Sequence, residues 1–375
     1  MADIGLPARP PSRRGGWLNR LVASPGFQIW AARFPLTRGI VRREGQALFD
    51  LVAGFCHAQV LLALVELRVP DLLMDGDLPL SDLAARIAVP EDRAAVLVKA
   101  GVALGLLRLR RGQVGLTRRG ATLTGVPGLA DMIRHHRVLY RDLENPVAFF
   151  RGQVETELAG FWPYVFGAGA AADPQTAATY SALMADSQAL VAQDTLDAVS
   201  LRGVGRLMDV GGGTGAFLAA AGARWPGLQM TLFDLPAVVP AARARFESVG
   251  LSGRVDIVPG SFRDAALPLG ADAISLVRVL YDHADATVAQ LLRAVHQALP
   301  TGGRLIVSEA MTGGEHPEKA GDAYFALYCM AMRTGRARSA VEIADLLRAA
   351  GFGQIRTPHP RRPFVTTALE AVKLG

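Results

Sequence analysis

Between Arg206 and Leu218 the chain reads Arg-Leu-Met-Asp-Val-Gly-Gly-Gly-Thr-Gly-Ala-Phe-Leu. An apolar run stops at Asp209 and Val210, Gly211 to Gly215 follow without a bulky side chain, and a helical Ala/Phe/Leu stretch resumes. Strand, glycine turn and helix in this order bring backbone N–H groups and a helix N-terminus close to a polar ligand. Glycine serves there because positive φ and close backbone approach are costly for other residues. Strand and helix patterns then alternate. Strands are expected at Gln229–Phe233 (ending at Asp234), Val255–Val258, Ala273–Val279 and Arg304–Val307 (leading to Glu309), and late strands near Gln354–Thr357 and Val365–Ala371. Helices are expected over Val238–Ser248, Thr287–Leu299, around Asp322–Met332 and over Val341–Ala350. This alternation predicts an α/β fold over 201–375, a Rossmann-like parallel sheet with its ligand at the C-terminal strand ends.

The front half follows another pattern. Residues 1–45 form a Pro-, Gly- and Arg-rich lead-in without a cleaved-leader signature, then a basic aromatic arm. In the arm Trp17, Leu18, Leu21, Val22, Phe27, Ile29, Trp30 and Phe34 are interleaved with Arg20, Arg33 and Arg38. Such a mixture suits either peripheral contact with a membrane surface or packing on its own domain or a partner subunit. Residues 46–127 read as a helix ending before Pro70, a short helix at 80–87, a longer one at 91–107 and a hairpin turning at Arg111-Gly112. That is a winged-helix order, which in isolation suggests DNA binding. The third helix is mostly small and apolar (Ala94, Ala95, Val96, Val98, Ala100, Val102), with few donors for bases or phosphates, so the module reads as a dimerisation domain and not a nucleic-acid reader.

Residues 128–200 are expected to be helical, over 129–143, 147–166 and 175–199. Phe149, Phe150, Phe161, Trp162, Tyr164 and Phe166 serve there as core or as the wall of an apolar substrate pocket. His135 and His136 point to different helix faces, are poor metal partners, and read as part of a solvated basic face. Cys56 and Cys329 lack metal-ligand or disulfide spacing, which makes a cytoplasmic setting the default. No unbroken run of about 18 apolar residues occurs, so no span across a membrane is expected. The net charge of +6 comes from arginine far more than lysine, a bias that composition explains as readily as phosphate binding.

Gly211, Gly213 and Ala216 also satisfy a loose G-x-G-x-x-A, so a nicotinamide dehydrogenase has to be weighed. The long helical region ahead of the turn and the ends of the later strands argue against it. Leu207–Gly215, Phe233–Val239, Val258–Gly260, Val279–Asp285, Ala298–Glu309 and Ala350–Phe352 occur in an order and spacing that resemble the class I S-adenosylmethionine-dependent O-methyltransferases. The winged-helix front half is similar to that family's dimerisation domain. The resemblance implies a homodimer whose N-terminal domains help close each other's substrate pocket. It also implies that Asp209, Gly211, Gly213 and Gly215 lie at the amino-acid end of S-adenosylmethionine and Asp234 with Leu235 at its ribose. Phe262 would stack on adenine beside Ser261, where the family often has Met and Asp, and Arg278 would stand in for a cofactor-contacting lysine that falls at Val277.

The catalytic stretch departs from the family. The family's base is a histidine in Leu-His-Asp-Trp, whereas here the stretch is Leu280-Tyr281-Asp282-His283. The acid that braces that histidine matches Glu309, and a second bracing glutamate falls at Ala337 and is absent. A phenol acceptor with a pKa of about 10 profits from a histidine base. An aliphatic alcohol loses its proton late, so orientation counts for more. Tyr281 would then orient the acceptor and pass a proton to Glu309 or water, with His283 as the alternative base and a non-titrating role for both still open. The wording around Phe34–Glu44, Leu48–Phe55 and Val277–His283 resembles the carotenoid-methylating branch in purple photosynthetic bacteria. It implies methylation of the tertiary hydroxyl of an acyclic hydroxylated carotenoid. A C-methyltransferase of bacteriochlorophyll precursors and a winged-helix regulator with a non-catalytic cofactor domain are the competing readings.

Overall fold

The computed structural model describes residues 16–160 and 187–375, which divide into two compact units, 1–120 and 121–375. In the first, α1 (Gly16–Ala23), α2 (Pro25–Arg33) and the long α3 (Arg38–Glu66) precede the short α4 (Val69–Leu72). A small module of β1 (Leu78–Pro79), α5 (Leu80–Arg86), α6 (Glu91–Ala103), β2 (Leu107–Arg110) and β3 (Gln113–Leu116) follows. The three strands form an antiparallel sheet in the order β1-β3-β2. Its hairpin turns at Arg111-Gly112, both at positive φ, the turn whose twist matches paired strands. Leu64, Leu83, Ala94, Val98 and Val114 form its core, and the missing side chain at Gly101 lets α6 lie against Leu107.

The expectation that no segment could span a membrane needs correction. Asp50, His57 and Gln59 interrupt the apolar letters of α3, yet its best window has a mean hydropathy of 1.9 over 18 residues. By length and composition alone this helix is long and apolar enough to cross a bilayer. Leu48, Phe49, Leu51, Val52 and Phe55 of α3 are exposed in the single chain, a patch of the kind that marks a contact surface.

The second unit opens with α7 (Arg118–Gly125), which begins just before its boundary, then α8 (Leu129–Asp142), α9 (Pro146–Phe150), α10 (Glu157–Gly160) and helical residues 187–198, α11. The single helix expected over 147–166 is corrected: it breaks after Phe150, where Gly152 takes a φ of 67°. Phe161, Trp162, Tyr164 and Phe166, proposed for core or pocket, lie outside the described residues.

A seven-stranded sheet follows, in the order β6-β5-β4-β7-β8-β10-β9. Its strands are β4 (Arg206–Val210), β5 (Gln229–Asp234), β6 (Val255–Pro259), β7 (Ala273–Val277), β8 (Arg304–Glu309), β9 (Phe352–Arg356) and β10 (Thr367–Lys373). Helices α12 (Ala216–Arg224), α13 (Val239–Ser248), α14 (Asp285–Ala298), α15 (Ala326–Met332) and α16 (Ala340–Ala349) connect them. Alternate strand residues face two apolar layers. Leu207, Met230 and Ile306 pack with Phe217 and Phe246 of α12 and α13, while Met208, Ile274, Leu305 and Val307 pack with Leu291, Val295 and Leu347 of α14 and α16. The sheet is mixed where an all-parallel one was expected. β10 runs antiparallel to both β8 and β9, because β9 and β10 are joined by a loop rather than by the crossover helix that parallel pairing requires. Strands β4 to β6 wind to one edge and β7 starts again on the other side of β4, which puts the topological switch between the ends of β4 and β7.

Candidate functional site

The glycine turn leaves β4 at that switch. Gly213 adopts φ 60° with open space where a side chain would stand, so the backbone presents itself there to a ligand. Gly215, at φ 75°, is needed for packing instead, since a Cβ would overlap the Phe246 ring. The turn is held by Asp234, whose two carboxylate oxygens accept from Gly213 N and Leu235 N, each at 2.7 Å. Burial lifts its pKa, and those two N–H groups pull it back toward the carboxylate range.

Asp209 lies wholly buried at the end of β4. Ser275 Oγ donates to its Oδ1 at 2.6 Å, while Oδ2 has no partner among the described residues and lies where a Gly212 Cβ would fall. Burial raises its pKa to about 7. The turn therefore rests on a buried carboxyl with an unused lone pair, and it offers N–H groups and the Asp234 oxygens at its mouth. Such a set fits a cationic, hydroxyl-bearing cofactor like S-adenosylmethionine.

After β6, Ser261 starts a turn in which its carbonyl accepts from Asp264 N and Ala265 N, and its Oγ accepts from Arg263 N at 3.2 Å. Phe262 meets His283 edge-to-face at 5.2 Å between centroids, and Arg263 Nη2 lies 3.3 Å from His283 Nδ1. Burial, with Arg263 and Arg338 nearby, lowers the His283 pKa to about 4, so the ring is neutral at physiological pH. His283 thus belongs with the Phe262 side of the site.

At the end of β7, Arg278 turns out of the strand with φ 59°, so the strand stops at Val277, two residues short of the expectation. Its Nε donates to Tyr281 Oη at 3.0 Å and its Nη1 to Ser187 Oγ at 2.8 Å and Gln188 Oε1 at 3.3 Å. Leu280–Asp282 form one 3-10 turn, which buries Tyr281 against Cys329 and Ala337. Burial drives the phenol pKa up despite the Arg278 charge, so Tyr281 stays a neutral hydroxyl. The expected passage of a proton from Tyr281 to Glu309 has no geometry here. Glu309 Oε2 accepts from the backbone N–H groups of Leu280 at 3.0 Å and Tyr281 at 3.3 Å, and the tyrosine hydroxyl is engaged by Arg278. The acid holds the turn that carries the tyrosine.

Comparison with known proteins bears on this arrangement. The O-methyltransferase domain family matches residues 140–353 and the O-methyltransferase dimerisation domain family matches 49–125. The chain belongs to the O-methyltransferase family. It is 56% identical over 97% of its length to the demethylspheroidene O-methyltransferase of Cereibacter sphaeroides, covering 98% of that protein. It is 53% identical over 98% of its length to the enzyme of the same name from Rhodobacter capsulatus, covering 92% of it. Among solved structures, human N-acetylserotonin methyltransferase in complex with SAM aligns with a TM-score of 0.73 and 25% identity over 88% of this chain and 98% of that one. CalO1, a methyltransferase of calicheamicin biosynthesis in its SAH-bound form, aligns at 0.75 and 25% over the same shares.

Two features of this family member escaped the sequence reading. Arg338 is fully buried. Its Nη1 donates to Leu280 O and its Nη2 to His283 O, both at 2.8 Å, and Asp285 Oδ1 accepts from its Nη2 at 2.7 Å. It clamps both ends of the Tyr281 turn, beside Gly335, where a Cβ would overlap Tyr281 O. Its only signal was an Arg-rich stretch next to the missing glutamate position at Ala337. The second feature corrects the solvated face expected for His135 and His136. Both are half-buried on α8, His135 Nε2 lying 2.9 Å from Tyr328 Oη and His136 Nε2 2.5 Å from Tyr324 Oη. Burial lowers both pKa values, that of His135 to about 4. Tyr324 sits in the π-helical turn Gly321–Phe325 just ahead of α15, an irregularity often found at functional sites, and no spacing rule foretold it.

Proposed function

We propose that this chain is an S-adenosylmethionine-dependent O-methyltransferase acting on the tertiary hydroxyl of an acyclic hydroxylated carotenoid, as a cytoplasmic homodimer with peripheral membrane contact. The observation that carries the reading is the identity of 56% along 97% of the chain to a demethylspheroidene O-methyltransferase. Tyrosine at the position of the family's histidine base agrees with it. S-adenosylmethionine, when bound, supplies a methyl group on a sulfonium that already carries the leaving-group charge.

The chain's own residues bind and orient. Gly211, Gly213 and Gly215 form the turn at the cofactor's amino-acid end, above the Asp209 carboxyl. Asp234, beside Leu235, takes the ribose hydroxyls, and Phe262 with Ser261 borders the adenine. His283, neutral and turned to Phe262, belongs to that wall rather than to the proton path. Arg278 holds Tyr281 Oη by its Nε–H, so the neutral phenol aligns the acceptor hydroxyl through a hydrogen bond. A tertiary alcohol needs no strong base, because its proton becomes acidic only as the new O–C bond forms and then passes to water. Glu309 acts through the backbone of the Tyr281 turn. Orientation alone accounts for much of the rate in such in-line transfers.

The test supplies purified protein and S-adenosylmethionine with a hydroxylated acyclic carotenoid or a bacteriochlorophyll precursor, and reads products by mass spectrometry. A gain of one methyl group on the carotenoid is expected. Methylation of the tetrapyrrole alone would overturn the substrate assignment, and tight DNA binding with no methyl transfer would favour a regulator.

A further inference from the structure

The N-terminal arm exposes a surface that neither the fold nor the dimerisation match accounts for. In α1, α2 and the turn after them, Trp17 is 65% exposed, Ile29 57%, Trp30 51% and Leu36 80%. These are large apolar side chains on helices too short to persist alone in water. Yet the arm is well formed: Ser24 Oγ accepts from Phe27 N to cap α2, and Trp30 and Phe34 stack with ring centroids 4.9 Å apart. Residues 16–43 also carry Arg20, Arg33, Arg38, Arg42 and Arg43, all exposed, and no Asp or Glu; the first acid, Glu44, pairs with Arg43 at 2.8 Å. The dimerisation match begins at 49, so this surface lies outside it.

We propose that the arm formed by α1, α2 and the first turns of α3 docks the enzyme on an anionic lipid bilayer. Charge decides between the occupants. Four of the five arginines, Arg20, Arg33, Arg38 and Arg42, have no acid within residues 16–43 of the arm, and anionic headgroups supply a continuous field of the opposite sign to such a surface. Indole rings prefer the headgroup boundary, and arginine stems lie along apolar surface while their guanidinium groups reach the phosphates. The inference rests on the carotenoid reading in one respect. An apolar substrate dissolved in a bilayer gives the enzyme a reason to work there, and docking would let it take the substrate from the lipid without passage through water.

The test is flotation of the full-length protein with vesicles of phosphatidylcholine alone or of phosphatidylcholine and phosphatidylglycerol in equal parts, at low and high salt. The protein should float with the anionic vesicles, at least tenfold more weakly with the neutral ones, and lose binding as salt rises. Arg33→Gln and Arg38→Gln should each weaken binding about fivefold, and Trp17→Ser with Trp30→Ser about tenfold or more. Circular dichroism and S-adenosylmethionine binding verify that the variants fold, and the arginine variants, altered only at the surface, keep the test valid if the tryptophan pair does not. Wild-type protein that stays unbound, or variants that float as well as wild type, overturn the proposal. So do variants that turn a dimer into a monomer in light scattering, which would assign the surface to a second copy, and retention that resists alkaline extraction, which would mean α3 is inserted. Carotenoid methylation is measured separately on detergent-dispersed substrate, so a wrong substrate and a wrong docking surface give different results.

Discussion

Replacing Glu309 by Gln tests whether this acid is a buried carboxyl whose ionisation works against the fold. Burial lifts its pKa from 4.5 to about 7, against the opposing pull of Arg338 and of the Tyr281 and Leu280 N–H groups. A carboxyl with a native pKa above its unfolded one binds more protons folded than unfolded between the two values. Its contribution to stability is therefore complete below 4.5 and is lost as the pH climbs to about 7. Each pH unit of that separation is worth about 1.4 kcal/mol, so the whole loss is about 3 kcal/mol. Gln cannot ionise but keeps an acceptor oxygen for the two N–H groups, and its amide nitrogen takes the place of Oε1, which has no partner among the described residues. Near pH 5 variant and wild type should agree to within about 1 kcal/mol. Near pH 8 the variant should be the more stable by about 3 kcal/mol. Urea unfolding followed by circular dichroism at matched protein concentration reads the difference. The comparison cancels the titration of Asp209, also raised by burial, while part of any gain passes through Asp282, which feels the Glu309 charge. An offset that does not change with pH, which would mean that folding does not raise the carboxyl's pKa, or a variant less stable near pH 8, which would mean that the nearby Arg338 charge outweighs burial, would refute the reasoning.

Four further variants have expected outcomes. Arg338→Met removes the guanidinium that holds Leu280 O, His283 O and Asp285, and should cost about 3–5 kcal/mol in urea unfolding; a loss under about 1 kcal/mol would mean the turn stands without it. Tyr281→Phe keeps the ring but loses the hydroxyl, so kcat should fall about tenfold, with the Kd for S-adenosylmethionine unchanged in calorimetry; an unaltered kcat would take Tyr281 out of the mechanism. Gly213→Ala meets no neighbour within 4 Å and carries only its left-handed strain, about 1 kcal/mol, so it should weaken cofactor binding with little change in melting temperature. Gly215→Ala, overlapping Phe246, should cost about 3 kcal/mol of stability; equal melting losses at the two positions would contradict this division of labour.

Sequence alone determined what depends on local period and turn chemistry. The apolar run to Val210 and the glycines after it specify a strand and a turn, and Asp234 stood out at the next strand end as a ribose contact; that it also holds Gly213 N is a contact the fold supplies. The alternation of elements placed them in an α/β sheet, and Arg111-Gly112 announced its own hairpin. Tertiary structure alone decided which side chains meet around the end of β7. There the chain leaves the strand through a positive φ at Arg278, and a residue's direction after such a bend cannot be read from spacing. Tyr281 therefore faces Arg278 and not Glu309, and His283 turns to Phe262. Arg338, 58 residues beyond Leu280, closes the turn, and His136, 188 residues before Tyr324, meets its hydroxyl across two helices. These pairs exist because the sheet and its helices stack distant segments into contact. A long guanidinium or an imidazole is buried only where that stacking supplies its partners, and no local pattern in the chain encodes where that will be.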